Sequence, residues 1–240
     1  MSIIAGKHPC TPWPGPDGNP SGEGAGEGAG AVSAIRADPA DAEQLSSVIA
    51  DAFAGLAPSV WLIPDEATRR EVFPGYFRLF VDEAFATGTV YTNPDRTAAA
   101  LWITKPGREE SADAPPPDTS AHDERLAAVA GPFVDRFREF DAILARNHPT
   151  GVAHHHLAIL AVHPRVQRRG TGSALLAEHH RVLDAGRTAA YLEAGDAGTR
   201  AIYLGHGYQD LGFPIQLSPE GPLMYPMWRR PVWAPSPGSL

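Results

Sequence analysis

Between His156 and Leu176 the chain reads HLAILAVHPRVQRRGTGSALL: an apolar run closed by proline, a basic loop with two spaced glycines, then an amphipathic run. That order dictates strand, loop and helix in succession. Gly170 and Gly172 carry no Cβ, so the amides from Gln167 through Ser173, those of Arg168, Arg169 and Thr171 included, can converge on an anion. The helix adds its unpaired first-turn N–H groups and the positive end of its dipole. Arg165, Arg168 and Arg169 bring formal charge to the same loop, which favours a diphosphate over a single carboxylate. A ligand bearing a pyrophosphate is the first expectation.

A dinucleotide fingerprint needs a third glycine and an acidic residue about 20 positions further on. Ser173, Ala174 and Leu175 follow Gly172, so the third glycine is missing; Glu193, closing the strand-like AAYLEA, keeps a nicotinamide ligand open as an alternative. No Lys-Ser or Lys-Thr pair follows the glycines, which excludes a nucleoside triphosphate loop. The segment resembles motif A of the GNAT superfamily, the acetyl-CoA-dependent N-acetyltransferases, written V-x-P-x-x-Q/R-x-x-G-x-G/A. Val162, Pro164, Gln167, Gly170 and Gly172 occupy every defined position in order. The resemblance implies an α/β fold with a mixed, mostly antiparallel central sheet, flanked by helices and split at the motif strand to hold acetyl-CoA. It further implies that Leu160, Ala161 and Val162 pair with pantetheine like an added strand, with an oxyanion-binding N–H at a bulge among them.

A second signature follows the next strand. Thr199-Arg-Ala-Ile-Tyr-Leu-Gly-His-Gly-Tyr208 resembles the family's closing motif, with Tyr203 and Gly207-Tyr208 as anchors. Thr199 stands where many relatives carry an Asn that bonds pantetheine. The resemblance gives Tyr203 the part of general acid toward a departing thiolate. Acetyl transfer to an amine also needs a base, because an alkyl ammonium of pKa about 10.4 is neutral to roughly one part in a thousand at physiological pH. Two candidates stand out. His156 occupies a strand position where the similar arylalkylamine N-acetyltransferases place a relay histidine, and Glu193 ends the following strand. Strand alternation puts His154 and His156 on one side and His155 on the other. Three adjacent histidines without further convergent ligands do not make a metal site, so no metal is expected.

The N-terminal half carries its own resemblance. AFAGLAPSVWLIPDE, an aromatic helix, and TAAALWITKPG with Trp102, Thr104 and Pro106 are similar to puromycin N-acetyltransferase and related antibiotic-modifying enzymes. The likeness implies a bulky small-molecule amine as acceptor. Phe53, Trp61, Tyr76, Phe77 and Trp102 are candidates to line its pocket, although aromatics in such runs are usually core. Acetylation of a protein amine, or acyl-CoA binding without turnover, are the alternatives.

The rest of the chain sets limits. Residues 1–30 are rich in Gly, Pro and small residues and read as a disordered tail, 31–230 as the GNAT domain, and 231–240 as a C-terminal tail. The single Cys10 lies in the tail with no intrachain partner, which fits a reducing, cytoplasmic setting. A net charge of −8 with the clustered arginines confined to one loop argues against nucleic acid as a partner. No apolar run of about 18 residues occurs, so no membrane partner is expected; the protein is expected as a monomer or homodimer. Asp38-Pro39 opens a first helix after the strand AVSAIRA, and an aromatic helix follows that Pro74 starts or kinks. TGTVYTN and TAAALWI pair as strands, Leu126 to Leu144 reads as helix, and strands near Tyr208 to Gln216 and Leu223 to Trp228 close the chain. The acidic, proline-rich stretch 107–122 is a surface loop, either a tolerated insertion or a lid.

Overall fold

The computed structural model describes residues 33–107 and 120–232. The expected N-terminal tail with Cys10, most of the 107–122 loop, and the C-terminal tail past Val232 lie outside the described residues.

Among the described residues eight strands form the sheet: β1 (Ile35–Arg36), β2 (Gly88–Thr92), β3 (Ala98–Lys105), β4 (His154–Val162), β5 (Ala189–Ala194), β6 (Gln209–Asp210), β7 (Ile215–Gln216) and β8 (Leu223–Arg229). Their order is β1-β2-β3-β4-β5-β8-β6, with β7 also on β8. Only β4 and β5 run parallel. The sequence expectation of a mixed, mostly antiparallel sheet between helices is met.

Each face of the sheet has its own core, and β3 explains why. Ala99, Leu101 and Ile103 point to one side and Ala98, Ala100 and Trp102 to the other, all buried. A strand buried on both faces must be apolar at every position. Helices α1 (Ala42–Phe53), α2 (Ala57–Leu62), α3 (Glu66–Thr87), α4 (Ser120–Ala130) and α5 (Val134–Asn147) cover the first face. Helices α6 (Thr171–Ala185) and α7 (Ala197–Gly205) cover the second.

Local chemistry sets the helix starts. Asp38 caps a 3-10 turn at Pro39–Asp41 that runs into α1, as Asp38-Pro39 predicts. Asp65 caps α3 by accepting from the Thr68 N–H at 2.8 Å, so Pro74 lies inside that helix and does not start it. Arg69 is buried, and its guanidinium donates to the carbonyls of Ala54, Ile63 and Pro64 at 2.6–2.9 Å. One side chain thereby ties the ends of α1 and α2 to α3.

Three sequence expectations need correction. The helical run from Leu126 to Leu144 breaks into α4 and α5, because Gly131 takes φ +51 and Pro132 follows it. The strand expected over Tyr208 to Gln216 shortens to β6 and β7, interrupted at Gly212 (φ +132) and Pro214. The bulge in β4 lies ahead of Leu160 to Val162, not among them. Those three pair regularly with Ala100, Ala99 and Ala98, whereas Leu157 and Ile159 oppose consecutive residues Trp102 and Leu101, leaving Ala158 as the extra residue. Ala158 and Ile159 consequently face the same core in succession.

Candidate active site

β4 and β5 pair at three positions only, His154 with Ala189, His155 with Ala190 and His156 with Tyr191. Beyond His156 the strands separate, and the β5-side edge of Leu157 to Val162 has no strand partner among the described residues. A split sheet exposes backbone donors and acceptors that an extended ligand can pair with.

The glycine loop sits at the far end of that split. Gly170 takes φ +80, a conformation that disfavours side chains, and a Cβ placed there meets nothing within 4 Å. The space in front of the loop is open. Arg168 is also left-handed at φ +64, and both it and Arg169 are exposed. Gly170 is the N-cap of α6 and has no side chain to accept from the first-turn amides of Thr171, Gly172 and Ser173. Gln167 Nε2 donates to the Val162 carbonyl at 2.9 Å and so fastens the loop to the strand end. Ser173 Oγ lies 3.1 Å from His206 Nε2. These features suit a diphosphate, and with the open strand edge they fit acetyl-CoA. Thr199 is differently engaged: its hydroxyl and amide close a capping box with Asp196 at the start of α7.

On the α3 and α5 side of the split lies a cavity of about 370 Å³. Phe80, Ile103, Phe140, Leu144 and Ala158 give it apolar walls, with Glu83, Lys105 and Asp141 among its polar lining. Burial pushes the Asp141 carboxyl up to about 6, with nearby Glu83 adding to the shift. His148, His156 and Glu193 also line it. The two candidate bases meet here. His156 Nε2 is 2.9 Å from Glu193 Oε2, so they act as one hydrogen-bonded pair. The register explains the meeting: Tyr191 opposes His156, and Glu193, two residues on, projects from the same face.

Burial drives the pair's electrostatics. Desolvation lowers the His156 imidazole to about 4 against the pull of Glu193, so the ring is neutral at physiological pH. Burial pushes the Glu193 carboxyl up, but the hydrogen bond it accepts from His156 opposes this and holds it well below its ordinary value. The pair thus carries one negative charge beside the cavity.

His148, absent from the sequence expectations, completes the cluster. Its Nδ1 lies 3.9 Å from Glu193 Oε1, and its Nε2 is 3.0 Å from His154 Nε2. His154 Nδ1 in turn donates to the Val152 carbonyl at 2.8 Å. His154 and His156 share a side, as alternation predicts, while His155 Nδ1 turns to His179 Nε2 at 2.9 Å on the opposite face. Tyr203 is fully buried on that opposite face, in the cluster that includes Leu160 of β4 and Leu192 of β5. Its ring is 5.6 Å from that of Tyr208.

Most of the expected pocket aromatics are core. Phe53, Tyr76, Phe77 and Trp102 are buried, Trp102 on the far face, and Trp61 packs at the core margin with its Nε1 donating to Ser218 Oγ at 3.2 Å. Phe80 and Phe140 line the cavity instead. Their spacing in α3 and α5 matches that of their core neighbours, so periodicity could not separate them. Nor could it find His148, which ends α5 and reaches the site only because β4 begins a few residues later.

No protein-family model and no curated protein matches the sequence. Solved structures do match. One, described as histone acetyltransferase HPA2 and related acetyltransferase from Corynebacterium glutamicum, is 25% identical, covers 85% of this chain and 98% of its own, and has a TM-score of 0.60. Arylalkylamine N-acetyltransferase 2 from Aedes aegypti is 11% identical over 83% of this chain and 99% of its own, at 0.54. The Drosophila melanogaster polyamine N-acetyltransferase, which forms N-acetylagmatine, is 16% identical over 83% and 99%, at 0.53. A split mixed sheet, a glycine loop at a helix start and these neighbours together identify the fold as that of the GNAT N-acetyltransferases.

Proposed function

We propose that the protein transfers an acetyl group from acetyl-CoA to a primary amine of a small molecule with an apolar body. The observation that carries this reading is the His156–Glu193 pair lining a cavity beside the β4–β5 split. The acyltransferase neighbours support the reaction class, and the amine acceptors named for two of them support a small basic substrate.

Acetyl-CoA supplies, when bound, a thioester whose acyl carbon an amine can attack. The amides from Gln167 to Ser173 and the side chains of Arg168 and Arg169 hold the diphosphate, and the open edge of Leu160, Ala161 and Val162 receives the pantetheine arm. An incoming ammonium must first lose a proton, an unfavourable step of about 4 kcal/mol at neutral pH. The negatively charged His156–Glu193 pair attracts the cation and takes that proton. Acceptance at His156 leaves an imidazolium–carboxylate pair of zero net charge, and because burial holds the imidazole down to about 4 the ring passes the proton on to solvent and does not retain it. Tyr203, buried in the cluster on the opposite face of the sheet, is the residue that would supply a proton to the departing thiolate; a phenol of pKa about 10 can protonate a thiolate near 8.5 at small cost when held against it.

Phe80, Phe140 and Leu144 select an apolar body, and Asp141 and Glu83 offer anionic contacts for a second polar group on the acceptor. An antibiotic or biosynthetic amine fits that description better than a protein terminus, because α3 and α5 wall the cavity. We read residues 31–230 as one catalytic domain, acting as a monomer or homodimer in the cytoplasm. Among the described residues no helix is long and apolar enough to cross a membrane.

The test is release of free CoA from acetyl-CoA against a panel of amines and aminated antibiotics, alongside calorimetry of the Gly170→Glu variant. Acetyl-CoA binding should disappear in that variant, because a carboxylate would stand where the diphosphate lies. Unchanged affinity in folded protein, or no CoA release with any amine, overturns the reading.

A further inference from the structure

The His156–Glu193 pair has a third neighbour that proton transfer does not require. His148, His156 and Glu193 each present a donor atom, and these atoms lie within 4.8 Å of one another. Two of the approaches, 2.9 Å from His156 Nε2 to Glu193 Oε2 and 3.9 Å from His148 Nδ1 to Glu193 Oε1, use different carboxylate oxygens. They bracket the spacing of about 3.4 Å between ligands on a tetrahedral zinc with bonds near 2.0–2.1 Å. Two imidazoles and a carboxylate lining one cavity form a ligand set that suits zinc.

The surroundings support ligation by His148. Its Nε2 is engaged by His154, which is anchored through Nδ1 to the Val152 carbonyl. That chain leaves Nδ1 as the nitrogen facing Glu193, and such outer partners are what orient a metal-binding histidine. The remaining direction opens into the cavity lined by Phe80, Phe140 and Asp141.

We propose that His148, His156 and Glu193 form a site for a zinc-type divalent cation, which occupies the position of the pair's shared proton and shuts off the acceptor cavity. Cation binding stands independently of the acetyl-transfer reading; the inhibition rests on it. A filled site holds His156 Nε2 and the Glu193 oxygens on the ion and moves the ring's one proton from Nε2 to Nδ1, so neither nitrogen is left to accept a proton from the amine. The same cation also repels an incoming ammonium.

The experiment uses the full chain stripped of metal with a chelator, titrated with Zn²⁺ by calorimetry and with Co²⁺ by visible absorption. One equivalent should bind, with the intense bands of four-coordinate Co²⁺. H148A and E193Q should lose this uptake, and H154F should weaken it about 10- to 100-fold by removing the outer partner. His148 is a partly buried residue at the C-terminal cap of α5, and melting curves check that H148A remains folded. Absence of uptake by the parent, or uptake undiminished in folded H148A, overturns the site, the latter placing the ion elsewhere in the chain. In the activity arm, Zn²⁺ should inhibit CoA release competitively with amine and EDTA should restore it. Uptake without turnover of any amine refutes the proposed function and leaves the site standing; turnover indifferent to saturating Zn²⁺ refutes the inhibition.

Discussion

On one side of β4, His154 and His156 face His148 and Glu193; on the other, His155 faces His179. In the second set His179 is buried. His179 stacks on Trp102 at 4.1 Å between ring centroids, touches Tyr91, and is lowered by burial to about 3, so it stays neutral. Among the described residues no carboxylate bonds either ring of that set. The first set has a carboxylate, Glu193, and lines the space between α3 and α5. Histidines therefore do not make the site; an ionised partner and access from solvent do.

The largest expected effect breaks this comparison at its active side. His156→Gln and Glu193→Gln should each lower turnover by about 10²- to 10⁴-fold while acetyl-CoA affinity, measured by calorimetry, holds. His179→Phe keeps the ring stacked on Trp102 and removes the bond to His155. That variant should retain turnover within a few-fold and lose about 1 kcal/mol of stability in urea melts. A kinetic collapse in His179→Phe with intact His156 would erase the distinction between the two faces.

Tyr203→Phe sharpens the contrast across the split. Turnover should fall about 10²-fold with little change in acetyl-CoA affinity, since only the transferable proton is lost. Equal losses in binding would assign Tyr203 to packing.

The smallest effect concerns the cavity wall. Asp141 has a folded pKa of about 6 against an ordinary 3.8, so between these values the folded state binds more protons than the unfolded chain. Stability from this group is greatest at low pH and declines as pH rises through that window. Asp141→Asn should remove the decline, leaving the variant equal to the parent near pH 3 and more stable by about 1–2 kcal/mol at pH 7, as read by urea unfolding at both. A parent curve with no such difference would place the carboxylate in solvent.

The two halves of the site differ in how far the sequence discloses them. The diphosphate loop lies within a single stretch from Val162 to Ser173, where proline and glycine fix the backbone locally, so spacing alone reveals it. The acceptor side is assembled from α3, α5, β4 and β5, and no local rule links Phe80 to Phe140 or His148 to Glu193. His156 and Glu193 were each legible as candidates; that they bond to one another depends on the three-residue register between β4 and β5. In the fold, β5 and β8 follow from their apolar patterns. The break at Gly131-Pro132 was written in the residues, yet flanking helical periodicity on both sides concealed it.

The short pairing of β4 with β5 has a mechanical consequence. His156 and Tyr191 form the last rung before the strands part, and His156 also carries the imidazole that grips Glu193 from beyond that rung. Fulcrum and reactive group are one residue. Any motion that widens the gap must pivot near His156 and swing its ring relative to the carboxylate, so the width of the cleft and the alignment of the base vary along a single coordinate.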